Sequence, residues 1–149
     1  LNRRHGGPMG HLAVPLPAVF DTSIFVGQER RGLGVLAEWA PVVSVITVAE
    51  LSFGVAAAGS EEIRDRRAAT LTDARSAPVV GLDDNGPVDV VTAWVRLRSG
   101  LAGRMPANDS WIAATALALR IPVLTQDDDF DAASKMIQVV RVPSPATTG

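Results

Sequence analysis

Apolar residues along this chain fall in short runs separated by segments of helical spacing. Ala18-Val19-Phe20 is an apolar run that stops at Asp21, and a helix-compatible segment follows. Val42 to Ile46 is continuous and largely β-branched, the pattern of a strand covered on both faces. Thr47-Val48-Ala49-Glu50 has the spacing of a capping box and predicts a helix running toward Ala58. Ser60-Glu61-Glu62 opens a charged helix to about Ala74. Val79 to Leu82 reads as a third strand, and Asp83 to Pro87 as a turn whose proline suits a first helical turn. Val88, Val91, Val95 and Leu101, with Trp94 alongside, predict an amphipathic helix. Gly103 to Pro106 breaks the chain before Asn108-Asp109 opens an alanine-rich helix to about Leu119. Pro122 to Thr125 and Gln138 to Val142 read as the fourth and fifth strands.

Strands that alternate with helices argue for βαβ units. The fold class expected is therefore α/β, with a parallel sheet of about five strands between two helical layers. Ala113, Ala114, Ala116 and Ala118 would let one helix approach that sheet closely. No internal repeat or interior linker is visible, so residues 13–143 are read as one domain. Residues 1–12, which begin without Met and carry Met9 inside, are read as an N-terminal extension outside the fold. Residues 144–149 are read as a C-terminal tail.

Composition narrows the chemistry. The chain has 149 residues, 47% of them hydrophobic, enough for a self-sufficient core. It has no cysteine, which excludes disulfide scaffolds, thiolate zinc sites, iron–sulfur clusters and cysteine nucleophiles. A net charge of −2 gives no global attraction to nucleic acid, so any such binding must be local. The apolar stretch Leu12–Phe20 is interrupted by Pro15 and Pro17 and falls far short of the roughly 20 residues of a membrane span. The expected location is the cytoplasm, with no membrane contact.

The candidate chemistry lies in carboxylates. In an open parallel sheet, sites form outside the carboxyl ends of the strands. Asp21 ends the first strand, Glu50 follows the second, Asp109 begins the alanine-rich helix, and Asp127 follows the fourth strand with Asp129 two residues on. Each also suits a local role. Asp21, Asp109 or Asn108 fits a helix cap, Glu50 completes the capping box, and Asp127 to Asp131 fits a solvated acidic turn. Convergence of all of them at one sheet edge would be unfavourable unless a cation neutralised them. Oxygen ligands without nearby histidine favour Mg²⁺ or Mn²⁺ over zinc. Such a site suits phosphodiester hydrolysis.

Four strings carry a resemblance. Phe20-Asp21-Thr22-Ser23, Thr47-Val48-Ala49-Glu50-Leu51, Asn108-Asp109-Ser110-Trp111-Ile112-Ala113-Ala114 and Thr125-Gln126-Asp127-Asp128-Asp129-Phe130 occur in the order seen in PIN domains. More closely, the chain resembles VapC-type toxins of bacterial toxin–antitoxin pairs, from about Val19 to Val142. The resemblance implies a PIN-like α/β/α fold and a Mg²⁺- or Mn²⁺-dependent endoribonuclease. It also implies an RNA substrate, a homodimer and a small cognate antitoxin. By motif position, Asp21, Glu50, Asp109 and Asp127 would be catalytic and hold metal, with Asp129 as an auxiliary ligand. Thr22, Ser23, Asn108 and Thr125 would support them. The register of the fourth acid within Asp127-Asp128-Asp129 stays open.

Substrate and partner contacts are less legible. Arg30-Arg31, Arg64, Arg66-Arg67, Arg96, Arg98 and Arg104 fit a phosphate-tracking rim, and the residues of 64–67 equally fit a solvated helix face paired with Glu61, Glu62 and Asp65. Phe25, Trp39 and Phe53 sit among apolar residues and are read as core or interface, while Trp111, beside Asp109, is a candidate for substrate contact. An antitoxin segment is expected on the apolar surface of the first two helices, with Phe25 and Trp39. The competing readings are a non-cleaving RNA- or protein-binding module and an acidic-site phosphatase. A haloacid-dehalogenase-type phosphatase would want an aspartate where Ser23 stands.

Overall fold

In the computed structural model, which describes residues 14–31, 36–83 and 85–143, β1 (Leu16–Phe20) is the middle strand of a five-stranded sheet. The order is β3 (Val79–Val80), β2 (Trp39–Ser44), β1, β4 (Val123–Thr125), β5 (Val139–Arg141), and every pairing is parallel. Val19 stands between Val42 of β2 and Val123 of β4. Five helices connect the strands: α1 (Thr22–Arg31), α2 (Val45–Ala56), α3 (Glu61–Arg75), α4 (Val90–Gly100) and α5 (Ala107–Leu119). The expected extension 1–12 and tail 144–149 lie outside the described residues.

Alternation along the strands builds two cores. Ala18 and Phe20 of β1 and Leu124 of β4 pack with Ile24 and Phe25 of α1, Val48 and Leu51 of α2, and Ala74 of α3. Val19 and Val123 point the other way, to Val90, Ala93 and Leu97 of α4, and to Ile112, Ala113, Ala114 and Ala116 of α5. Neighbouring strand residues thus serve opposite faces, as the pleat requires, and the three-layer α/β/α arrangement follows. The alanines of α5 are buried through Ala116, and Ala118 is partly buried. Among the described residues no helix is long and apolar enough to cross a membrane.

Capping explains most helix starts. Ser60 Oγ accepts from the Ile63 amide at 3.2 Å, and Glu61 and Glu62 lie in the positive first turn of α3, as their sequence predicts. Three starts differ from expectation. β2 ends at Ser44, whose Oγ accepts from the Ile46 amide at 3.1 Å, so α2 begins before Thr47. Thr47 is buried inside the helix, and the Thr47–Glu50 spacing is not a capping box. At α4 the cap is Asp89, whose carboxylate accepts from the Thr92 amide at 2.9 Å; Pro87 therefore precedes the helix and is not in its first turn. The N-cap of α5 is Pro106, without a side-chain bond, which leaves Asn108 and Asp109 inside the first turn and frees both from capping.

Of the apolar stripe expected at α4, Val88, Trp94 and Leu101 pack against the core beside Val90, Ala93 and Leu97, while Val95 is exposed. The Trp94 ring stacks on Trp111 of α5 with centroids 4.6 Å apart and planes 9° from parallel, and its Nε1 donates to Ser110 Oγ at 2.9 Å. The Arg98 guanidinium lies over the Trp94 ring at 5.6 Å. Trp111 thus packs helix on helix, which accounts for a ring that the sequence offered as a substrate contact.

α5 ends where Arg120 adopts φ 58, ψ 43, a left-handed conformation that glycine reaches without steric penalty. Arg120→Gly is expected to stabilise the protein by roughly 0.5–1 kcal/mol, because the relief of left-handed strain exceeds the extra chain entropy of glycine. Urea denaturation at equal m-value reads this directly; a lower midpoint would contradict it.

Candidate active site

The strand order reverses direction of travel between β1 and β4, and the carboxyl ends of those two strands open a crevice there. Asp21 follows β1 and is 2% exposed. Two hydroxyls meet its Oδ2: Ser23 Oγ and Thr125 Oγ1 each donate to it at 2.8 Å. Each hydroxyl accepts in turn from the β4 loop, Ser23 Oγ from the Gln126 amide at 2.9 Å and Thr125 Oγ1 from the Asp127 amide at 3.0 Å. Asp21 and Asp127 are therefore fixed relative to one another through two short relays. Burial raises the Asp21 carboxyl above its ordinary value; the Ser23 and Thr125 bonds oppose that, and the charge of Asp127 adds to it.

Across the crevice, Glu50 is held from two sides. Thr22 Oγ1 donates to its Oε1 at 2.6 Å, and Asn108 Nδ2 donates to its Oε2 at 3.3 Å. Thr22 also lies 3.0 Å from the hydroxyl of buried Thr47, so the residues expected to cap α2 instead lock α2 to α1.

Asp109 is the centre of the group. It is half-buried in the first turn of α5, and its carboxyl is pushed up to about 7 by burial first, then by the charges of Asp21, Asp129, Glu50 and Asp127. The positive end of α5 would favour the anion by about 0.3–1 kcal/mol, and the repulsion outweighs it. Asp127, although exposed, is also raised, by partial desolvation first and then by Asp129, with Arg141 opposing. All five acids picked from the sequence thus act on Asp109 or are Asp109 itself.

Arg141 of β5 was not foreseen and pairs with part of the acidic run. Its guanidinium pairs with Asp128 at 2.6 Å, reaches Asp131 at 3.8 Å and donates to the Gln126 carbonyl at 3.3 Å. Asp128 is thereby turned toward β5, while Asp127 and Asp129 repel Asp109. The segment that read as an acidic turn is a 3₁₀ helix, Asp128–Ala133, anchored by fully buried Phe130. A charge of opposite sign near the end of the last strand was the available signal.

Among the described residues, three of the arginines expected along a rim have partners within the fold. Arg66 pairs with Glu29 of α1 at 3.3 Å, and Arg67 donates to the Gly54 carbonyl at 2.7 Å, so both brace α3 against other helices and do not pair along α3. Arg98 is engaged with Trp94 and the Met105 carbonyl. The side chains of Arg30 and Arg31 lie outside the described residues. Phe25 is core, and Trp39 is half-buried on β2, so they do not form a helical surface for a partner. Phe53, expected in the core or an interface, is 73% exposed.

Among the described residues no three acids already stand in coordinating geometry around one point. The donor set nonetheless fits a hard divalent cation: oxygen ligands only, with carboxyls raised first by burial and then by neighbouring negative charge, both of which a cation would offset.

A parallel three-layer α/β domain with carboxylates gathered at the switch between its central strands defines a class of acid-site nuclease-like folds. Within that class the chain belongs to the PIN-domain family, whose sequence profile matches residues 18–136. It is 38% identical to Ribonuclease VapC5 of Mycobacterium tuberculosis over 135 residues, which cover 86% of this chain and 97% of the relative. It is 40% identical to Ribonuclease VapC4 of the same organism over 134 residues, 84% of this chain and 96% of the relative. The crystal structure of VapBC-5 from Mycobacterium tuberculosis, a member of the VapBC family of toxin–antitoxin systems, matches with a TM-score of 0.74, covering 86% of this chain and 100% of that one. The DNA-bound VapBC of Salmonella typhimurium shares the fold at a TM-score of 0.67 and 18% identity, covering 83% of this chain and 96% of that one.

The raised carboxyl of Asp109 makes a stability prediction for protein kept free of divalent ions. The native state holds a proton there that the unfolded chain releases above its ordinary pKa of 3.8. Native stability therefore falls as pH rises from about 4 to about 7. Asp109→Asn removes most of this slope and stabilises the chelator-treated protein at pH 7.5 by about 1–2 kcal/mol, the shift being discounted for the solvent-exposed half of the group. Urea titrations at pH 4.5 and 7.5 test it. A wild-type stability that rises over this interval would contradict the assignment.

Proposed function

We propose that this chain is a metal-dependent endoribonuclease that cleaves RNA phosphodiester bonds in the cytoplasm as the toxin of a toxin–antitoxin pair. The observation that carries the reading is the convergence of Asp21, Glu50, Asp127 and Asp129 on Asp109. Relatives named as ribonucleases, at 38–40% identity over nearly their whole length, support the RNA substrate. Structural neighbours described as VapBC complexes support a small antitoxin partner. Metal dependence is typical of the family, and Mg²⁺ or Mn²⁺ suits an all-oxygen donor set. Association as a homodimer belongs to the same reading.

In this reading Asp21, Glu50, Asp109 and Asp127 hold the ion, with Asp129 contributing from the outer side. When bound, a divalent cation polarises the phosphate and lowers the pKa of water. The remaining work is done by the chain. Ser23 and Thr125 fix Asp21 by bonding one of its oxygens, and Thr22 with Asn108 fixes Glu50, so the charges that define the site are placed before substrate arrives. Asp109 must give up its proton before it can act as a ligand, and with a pKa of about 7 that loss is coupled to loading near neutral pH. Mn²⁺ affinity therefore rises between pH 6 and 8.

The decisive experiment is cleavage of a mixed cellular RNA pool by wild type and Asp109→Asn, each stripped of any antitoxin, with Mg²⁺, Mn²⁺ or EDTA. Wild type is expected to cut at discrete sites with either metal and not in EDTA. Asp109→Asn is expected to lose at least about 100-fold in rate, since changing even a residue behind a metal ligand loses about 10–100-fold. Equal cutting by the two proteins, or full activity in EDTA, would overturn the reading. RNA binding without cutting would assign the chain to a non-cleaving binding module.

A further inference from the structure

The chain has four phenylalanines, three tryptophans and no tyrosine. Six of these rings are buried or half-buried; Phe53, at 73% exposed, is the exception. A single exposed apolar side chain is ordinary, so exposure alone says little. Its position says more. Phe53 lies one helical turn beyond Glu50 on α2, so the two share a face. The ring stands between two open cavities, and Glu50 lines both. One, of about 580 Å³, extends past Thr22 to Arg66 and Arg67. The other, of about 410 Å³, is bounded by Ile46 and Asn108. Either has the volume of a small-molecule subsite.

We propose that Phe53 is the stacking platform for a nucleobase adjacent to the phosphate that is cleaved. The inference rests on the ribonuclease reading of the neighbouring carboxylates. A flat apolar ring with hydrogen-bonding side chains beside it, between cavities that Glu50 lines, matches an unstacked base, which presents a π face and polar edges. Thr22, Glu50, Arg66 and Arg67 offer polar groups on one side of the ring and Asn108 with Glu50 on the other, while Val26, Leu51, Ile46 and Ala49 line the same cavities with apolar surface. Arg66 is held by Glu29 and Arg67 by the Gly54 carbonyl, so the positive side chains of the larger cavity are set in place along the approach to Phe53.

The test compares wild type with Phe53→Ala, Phe53→Leu and Phe53→Trp on an RNA oligonucleotide carrying a mapped cleavage site. It also uses copies of that RNA lacking the base on either side of the cut. Each substitution is at an exposed position and leaves folding stability nearly unchanged. Phe53→Ala and Phe53→Leu are expected to raise KM by about 5- to 100-fold with kcat within about twofold, the behaviour of one lost stack that binds substrate and transition state alike. Phe53→Trp is expected to keep KM, and on one of the abasic RNAs the difference between wild type and Phe53→Ala disappears. Binding of the same RNA with 2-aminopurine beside the cut, measured with Asp109→Asn to prevent turnover, is expected to quench fluorescence only when residue 53 is aromatic. Retention of KM by Phe53→Leu would overturn stacking. So would unchanged cleavage by Phe53→Ala accompanied by weaker antitoxin inhibition or a loosened dimer, which would make Phe53 a protein contact. In both cases wild type still cleaves, so the nuclease reading stands. A wild type that neither cleaves nor binds RNA with Mg²⁺ or Mn²⁺ would overturn both together.

Discussion

A carboxylate 2% exposed at the end of the central strand must be compensated by whatever lies within reach. At Asp21 the compensation is two hydroxyl donors on one oxygen, from Ser23 two residues on and Thr125 at the end of the neighbouring strand. Neutral donors stabilise the charge but do not cancel it, and its carboxyl remains raised. The negative potential is then compounded by Asp109, Asp127, Asp129 and Glu50. Burial and repulsion together keep these groups from being charged without cost. The surrounding structure can be understood as what holds the acids close despite it.

The parallel sheet makes that possible. With the order β3-β2-β1-β4-β5, the chain leaves β1 and β4 at the same edge and toward opposite helical layers, so a crevice opens between Asp21 and Asp127 with no loop required to shape it. The helices entering that edge are braced from behind. Thr22 and Thr47 join α1 to α2, the stacked Trp94 and Trp111 join α4 to α5 near Asp109, and Arg141 draws Asp128 toward β5. Buried side-chain donors and acceptors all have partners among the described residues, so the strain is confined to the charges.

Much of this was legible in the sequence, because apolar runs and helix starts are local signals. The five strands, the parallel α/β class and the five acids each follow from short stretches read on their own terms. What escaped depends on residues distant in sequence. Thr47 and Glu50 have capping-box spacing, but Ser44 takes the cap, and Thr22 from another helix claims both side chains. On α4, Trp94 stacks on Trp111 of another helix, and Val95, one residue on, is exposed although it belonged to the expected apolar stripe. Arg66 looks along α3 for a partner and finds Glu29 on α1. Within the acidic run, Asp128 pairs with Arg141 of β5, a partner that lies 13 residues further along the chain. In each case a local pattern was compatible with two outcomes, and tertiary contact selected one.

The charge of the chain constrains how it could recognise RNA. With a net charge of −2, and with Arg66 paired to Glu29, long-range attraction to a polyanion is weak, and the acids at the cleft oppose it. Recognition in the proposed reading must therefore be short-ranged. A bound cation would reverse the local sign at the acids, and contact with an unstacked base would add affinity without charge. Both demands favour a single-stranded segment over a duplex, since a paired base cannot leave its stack to meet a ring on a helix surface without unpairing energy. A protein that attracts RNA poorly at a distance and grips it only where a base is free would discriminate by structure before it discriminates by sequence.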